Sequence, residues 1–352
     1  MPCIGGSRSM TTTCPQGWIC PQSGFLGRTI SAMPPIVWRM KTPDSLIAQS
    51  PEEVLAAVPY LLGFHPQQSF VVVALRGRRV VFTARADLDH ALWEADRLAR
   101  VVDTNNADAL ILLGFCEPTA ESRDLLADLA ELFGDFRIHD LLLSDGERWW
   151  SLLCDDADCC PDEGTPYDIS TTRFAAAAVA AGLPALPSRA ELVQRVTGPI
   201  GEVDRQEVRA AFEEVLPDLA GWSAEERCGR IRRLIARYNT SRGLSDTECA
   251  ELAVLSHDPV ARDEVLGRLR RVDAPRQVAL WNRVVDRSLP PFEVAPLCLL
   301  GLAAWLSGNG ALQVICMERA ERINAGFSML SLLNHIHDRA IPPSHWGEGA
   351  AA

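Results

Sequence analysis

Phe70-Val71-Val72-Val73-Ala74-Leu75-Arg76-Gly77-Arg78-Arg79-Val80-Val81-Phe82-Thr83-Ala84-Arg85-Ala86 is the stretch that decides the fold. Phe70–Leu75 is a continuous apolar run of strand length, and Arg76-Gly77-Arg78 turns the chain. Val80–Ala86 returns as a second strand, so the two are predicted to form a hairpin. Upstream, Ser50-Pro51-Glu52-Glu53 carries the signature of a helix start: a Ser N-cap, Pro at the first helical position and Glu closing a capping box. That helix should run to about Leu62 and stop at Gly63. Downstream, Ala91–Val102 has apolar residues at helical spacing. Ala109–Phe115 reads as a buried strand, Glu121–Phe133 as a helix and Ile138–Ser144 as a strand. Asp145-Gly146 turns into Arg148–Leu153, a second hairpin. The strand-helix-strand crossovers require parallel pairs and the hairpins add antiparallel ones. An α/β mixed sheet, with two β-hairpins plus strand-helix-strand crossovers, is therefore expected over residues 40–165.

Strand signals stop after Thr165. Thr171–Ala181 is an Ala-rich helix closed by Gly182. Ser223-x-x-Glu226 and Ser245-x-x-Glu248 are capping boxes, and Asp258-Pro259 is an N-cap followed by Pro. Helices joined by short loops predict an all-α helical-hairpin bundle over residues 166–346, with 347–352 as a tail. Residues 1–39 contain three Arg, no Asp or Glu and no periodicity. They are expected to be disordered or to precede the true start, which Met40 would supply.

Composition narrows the chemistry. The chain has 352 residues and a formal net charge of −12, which repels phosphate backbones, so no nucleic-acid partner is expected. Of 34 basic residues only Lys41 is lysine, which disfavours Schiff-base and P-loop chemistry. No apolar run reaches 18 residues, so no membrane span is expected. Eleven cysteines, an odd number, without a secretory leader argue against a disulfide framework and for a cytoplasmic location. G-x-S-x-G and H-E-x-x-H are absent.

The most unusual segment is Cys154-Asp155-Asp156-Ala157-Asp158-Cys159-Cys160-Pro161-Asp162-Glu163-Gly164, with three thiols and five carboxylates. Zinc accepts such a thiolate density, although C-x4-C-C is not a zinc-knuckle spacing and adjacent cysteines do not easily face one ion. His65 or His139 would be the fourth ligand. The plainer reading is a Pro/Gly turn with cysteines buried at a domain junction. A redox pair of Cys154 with Cys159 or Cys160 is a third reading, disfavoured because the surrounding carboxylates would raise the thiol pKa. His65, in Gly63-Phe64-His65-Pro66, is a loop histidine suited to proton transfer or ligation, or simply to shaping the turn. Asp87-x-Asp89 suits a metal or a helix cap. Arg230, Arg233 and Arg237 share a helix face that suits an anion or is merely solvated.

Three segments together resemble domain-of-unknown-function family 4192. They are Val58-Pro59-Tyr60-Leu61-Leu62-Gly63-Phe64-His65-Pro66 with Ser69–Val73, then Cys159-Cys160-Pro161-x-Glu163-Gly164, and Leu302–Gly310 with Trp305-Leu306-Ser307-Gly308-Asn309. The resemblance spans about Ser50 to Trp346. It implies a cytoplasmic protein of high-GC actinobacteria and carries over no catalytic residues. Two functional expectations stand. The first is a non-catalytic binding or regulatory protein that meets a protein partner through its helical half, with no cofactor. The second is an enzyme or metal-binding protein with a site at the domain junction, built from Cys154, Cys159, Cys160, Glu163, Gly164 and His65, with zinc as its metal. Oligomeric state is not encoded legibly.

Overall fold

A computed structural model describes residues 36–38, 46–181, 185–241 and 243–347. The chain divides into two compact units. The first runs through Leu61 and resumes over His65–Ala185. The second takes Leu62–Phe64 and the chain from Leu186 onward.

The first unit holds a mixed sheet of eight strands: β1 (Ile36–Trp38), β2 (Leu46–Ala48), β3 (Ser69–Arg76), β4 (Arg79–Asp87), β5 (Ala109–Phe115), β6 (Arg137–Ser144), β7 (Arg148–Ser151) and β8 (Thr165–Pro166). Their spatial order is β2-β1-β4-β3-β5-β6-β7-β8. The expected first hairpin is β3–β4, paired from Ser69 opposite Asp87 to Arg76 opposite Arg79. Its two-residue loop needs a positive φ, which Gly77 supplies at +59°. The Asp108 carboxylate accepts from the Gly77 amide at 2.8 and 2.9 Å and fixes that loop. β5 runs antiparallel to β3 and parallel to β6. The helix α3 (Ala120–Leu132) therefore makes a direct crossover between neighbouring strands. The helix α2 (Ala91–Thr104) instead carries the chain from β4 over β3 to β5.

Every β5 residue and all of β3 except Arg76 are buried, as strands covered on both faces must be. On one face Phe70, Val72, Leu110, Leu112 and Leu143 pack with Ala95 and Leu98 of α2, with Leu126 and Leu129 of α3 and with Phe133 at its C-cap. A Cβ on Gly114 would sit 2.5 Å from Leu126 Cδ1, so this glycine sets how closely α3 lies on β5.

Two boundaries differ from expectation. Residues 36–38 form a strand, β1, which pairs with β2 and β4; the rest of 1–35, Met40 and Gly182 lie outside the described residues. The division between the units also falls after residue 185 rather than 165. The helix α4 (Arg173–Ala180) belongs to the first unit because Phe174 packs on Tyr60 of α1 (Pro51–Leu62), with ring centroids 6.3 Å apart. The Leu186 amide donates to the Gly63 carbonyl at 2.8 Å, which ties Leu62–Phe64 to the second unit.

Apart from a parallel β-bridge between Phe64 and Leu186, the described secondary structure of the second unit is helical, with α5 (Arg189–Gln194), α6 (Glu202–Ala220), α7 (Ala224–Ser241), α8 (Asp246–His257), α9 (Pro259–Arg268), α10 (Ala274–Asp286), α11 (Val294–Leu306), α12 (Gly310–Asn324) and α13 (Ser328–Asp338). The helix α8 starts with the expected reciprocal capping box of Ser245 and Glu248, and Asp258 caps α9 by accepting from the Ala261 amide at 2.9 Å. All thirteen residues of α11 are buried. At Gly301 a Cβ would meet Cys316 Cβ at 3.3 Å, so the glycine allows α11 and α12 to approach closely. Among the described residues no helix is long and apolar enough to cross a membrane.

Candidate metal centre

The Cys154–Gly164 loop leaves the end of β7 and returns as β8, so it hangs from one edge of the sheet within the first unit. The chain passes to the second unit only after Ala185, some way beyond the loop. The loop is anchored at both ends. Ser151 Oγ donates to the wholly buried Asp140 carboxylate at 2.7 Å. On the return side the Arg148 guanidinium donates to the carbonyls of Glu163 and Gly164 at 3.1 and 2.8 Å. Trp150 Nε1 donates to the Asp162 carbonyl at 3.0 Å, and the guanidinium carbon of Arg123 lies over the same indole, 5.5 Å from its centroid.

Gly164 is at φ +79°, where L side chains are strained, and a Cβ there would lie within 2.7 Å of three indole atoms of Trp150. Only glycine satisfies both conditions. Glu163 points to solvent and takes part through its backbone carbonyl rather than its carboxylate.

Inside the loop the Asp156 carbonyl accepts from the amides of Cys159 at 3.0 Å and Cys160 at 2.7 Å, while its carboxylate accepts from the Asp158 amide at 3.0 Å. This tight turn folds Cys159 and Cys160 back towards Cys154. The sulfurs of the three cysteines lie within 4.8 Å of one another, and those of Cys159 and Cys160 are 3.8 Å apart. The expectation that neighbouring cysteines would diverge is thus overturned by the turn at Asp156. Cys154 and Cys159 are buried and Cys160 half-buried. Cys159 is disulfide-bonded. A disulfide sulfur is a poor metal ligand, so metal chemistry at this loop belongs to its reduced form. A cavity of about 480 Å³ borders the cluster, lined by Cys154 and Cys160, the two tryptophans, Leu152 and Pro161, with Arg123 as its one basic group.

The histidines are not brought in. Among the described residues the group of potential ligands comprises the three cysteines alone. His65 is half-buried, and burial lowers its pKa. His139 is likewise lowered, by burial first and then by Arg137. Asp87 pairs with Arg85 at 2.5 Å and Asp89 with His90 at 3.1 Å, outside any ligand cluster. Of the basic helix face, Arg233 and Arg237 are exposed, as a solvated face would have them, while Arg230 is half-buried. Arg227 pairs with Asp258 and Arg230 with Glu251, both at 2.7 Å, while Arg237 pairs with Glu248. These are bridges from α7 to α8 and to the cap of α9.

The family model described as "Domain of unknown function (DUF4192)" matches residues 51–344. The chain belongs to the DUF4192 family. No curated protein matches, and no solved structure does. The DUF4192 match takes in the sheet, the cysteine loop and the helices to α13.

Proposed function

We propose that this DUF4192 chain is a zinc-binding protein, its metal held by Cys154, Cys159 and Cys160 in the reduced state. The observation that supports this reading is the convergence of the three sulfurs, with Cys159 and Cys160 3.8 Å apart. Zinc-thiolate bonds are about 2.3 Å, and the edge of the corresponding tetrahedron is about 3.8 Å. The ion would clip the Cys154–Gly164 loop to the β7 edge, a structural rather than hydrolytic role. The carboxylates of Asp155, Asp156, Asp158, Asp162 and Glu163 add a negative potential that draws in a cation.

The test is metal analysis of the whole protein purified under a phosphine reductant. One zinc per chain is expected. The Cys159→Ser/Cys160→Ser variant should lose it while keeping wild-type circular dichroism. Reduced wild-type protein that retains no zinc and takes up neither added zinc nor cobalt would sink the proposal. A second reading, docking of a partner protein on the helical unit, is favoured by Ile200 and Val203, which are 73% and 72% exposed beside the start of α6. Replacing both with Ser would abolish partner capture without touching metal content.

A further inference from the structure

We propose that the second unit binds a phosphate group, carried by a small phosphorylated molecule, between Arg262 and the start of α13. The site shares no residue with the zinc reading above and stands or falls without it. Arg262, on α9, is only 9% exposed, so its charge is taken out of water. Among the described residues it forms no ion pair with a carboxylate. Asp258, one turn back, is already engaged by Arg227 at 2.7 Å and by the Ala261 amide at 2.9 Å. The guanidinium carbon lies over the Phe327 ring, 5.3 Å from its centroid, and Nη2 donates to Ser328 Oγ at 3.4 Å, long for a hydrogen bond. The charge of Arg262 also acts on His257 and Cys298. Burial pushes the Cys298 thiol up to about 12 against the opposing pull of Arg262, so it stays neutral and is no counter-ion. A buried cation without a counter-ion is costly, and an anion from solution supplies what the chain does not.

The place where the guanidinium points makes the demand for an anion stronger. Ser328 opens α13, a helix of eleven residues, and the N-cap residue Phe327 contributes no side-chain cap. Among the described residues no acceptor meets the Ser328 or Met329 amide. The start of a helix carries partial positive charge, so a cation placed there is repelled. The guanidinium, the Ser328 hydroxyl and the first amides of α13 are therefore donors gathered at one spot. A phosphate group has enough oxygens to accept from all of them, and helix starts and arginines are the groups that hold it. Ser328 and the preceding Asn324, Ala325 and Gly326 are exposed, so the spot is reached from solvent. The net charge of −12 repels anions from the surface at large, which leaves these local donors to hold the group. His257 packs on the same Phe327 ring at 5.3 Å, and its buried Nε2 has no hydrogen-bond partner among the described residues. Burial first, and Arg262 after it, lower the His257 pKa, and a phosphate beside Arg262 offsets the second influence.

The experiment titrates the full-length protein with inorganic phosphate, at an ionic strength held constant with chloride, and follows amide and imidazole NMR signals. The Ser328 and Met329 amides should shift and saturate, and the His257 pKa should rise. Arg262→Gln should weaken phosphate binding by about tenfold or more, the scale of a lost charge-assisted hydrogen bond. Ser328→Asp sets a carboxylate where the phosphate would lie. It should abolish phosphate binding and raise the urea midpoint of the second unit. That gain should shrink in the Arg262→Gln background, which a helix-start effect alone would not produce. Ser328 is exposed, so Ser328→Asp carries the test even where Arg262→Gln fails to fold. Amides that do not respond to millimolar phosphate would overturn the inference. So would a Ser328→Asp variant that binds phosphate as the wild type does, or a folded Arg262→Gln variant that binds it undiminished.

Discussion

Replacing Gly164 by Ala tests the anchoring of the cysteine loop more directly than changing a cysteine. The residue sits at φ +79°, and its Cβ would meet Trp150 Cζ2 at 2.6 Å and Nε1 at 2.7 Å. The left-handed conformation costs an L residue about 1–2 kcal/mol. The indole must also move, an overpacking cost of about 1–3 kcal/mol. Displacing it breaks the hydrogen bond from Trp150 to the Asp162 carbonyl, worth about 1 kcal/mol net. The expected loss is therefore about 3–6 kcal/mol in the first unit, summing those three effects. Gly77→Ala is the control, since it shares a positive φ of +59° but has open space around its Cβ, and should lose only about 1–2 kcal/mol. Hydrogen exchange at the β3 and β5 amides reads the first unit without interference from the second. A Trp150→Ala background completes a double-mutant cycle in which Gly164→Ala should become much milder. Equal losses at Gly164 and Gly77, or a Gly164 loss undiminished without the indole, would refute the packing argument.

Further outcomes follow from the helical unit. His257 lies between the Phe292 and Phe327 rings, and its Nε2 is buried with no hydrogen-bond partner among the described residues. Burial, and secondarily Arg262, lowers its pKa below 6.5, against a raising contribution from the hydrogen bond to Phe292. The folded state thus binds fewer protons than the unfolded one. The second unit's stability should be level above pH 6.5 and fall as pH drops from there, by at most about 1.4 kcal/mol per pH unit. Urea titrations of wild type and His257→Gln between pH 8 and 5 check this, and an unchanged slope in the variant would rule it out. Arg319→Met should cost about 3–5 kcal/mol, because it strands a buried carboxylate at Glu293, which burial already pushes up in pKa against the opposing pull of Arg319. Adding Glu293→Gln should restore part of that loss in the same denaturation assay. Ser245→Ala removes the N-cap of α8 and should cost about 1 kcal/mol by thermal unfolding, with Glu248→Gln not adding its full effect.

What the sequence reveals depends on whether the cause is local. The β3–β4 hairpin and the caps of α8 and α9 were legible because Gly77, Ser245 and Asp258 act within a few residues. The strands β1, β2 and β8 are too short to display a period, and Pro166 in β8 reads as a breaker. The unit boundary was misplaced because α4 is held by Phe174 against Tyr60, more than a hundred residues away in sequence. The cysteine loop stood out by composition alone. The convergence of Cys159 with Cys160 was not visible, since it depends on one carbonyl, that of Asp156, receiving two amides. The partners of the α7 arginines were invisible for the same reason: they lie on α8 and at the start of α9.

The helix α11 carries a consequence for how the chain is made. With every residue from Val294 to Leu306 buried, it has no face of its own suited to water. Ribosomes deliver sequence in order, and the 32 residues to the end of α13 at Asp338 take about 2–6 s to emerge at ~5–20 residues per second. During that interval the nascent chain presents a thirteen-residue apolar segment whose covering helices α12 and α13 are still being completed. A product truncated between α11 and α12 would therefore leave this apolar segment without the helices that cover it in the folded chain.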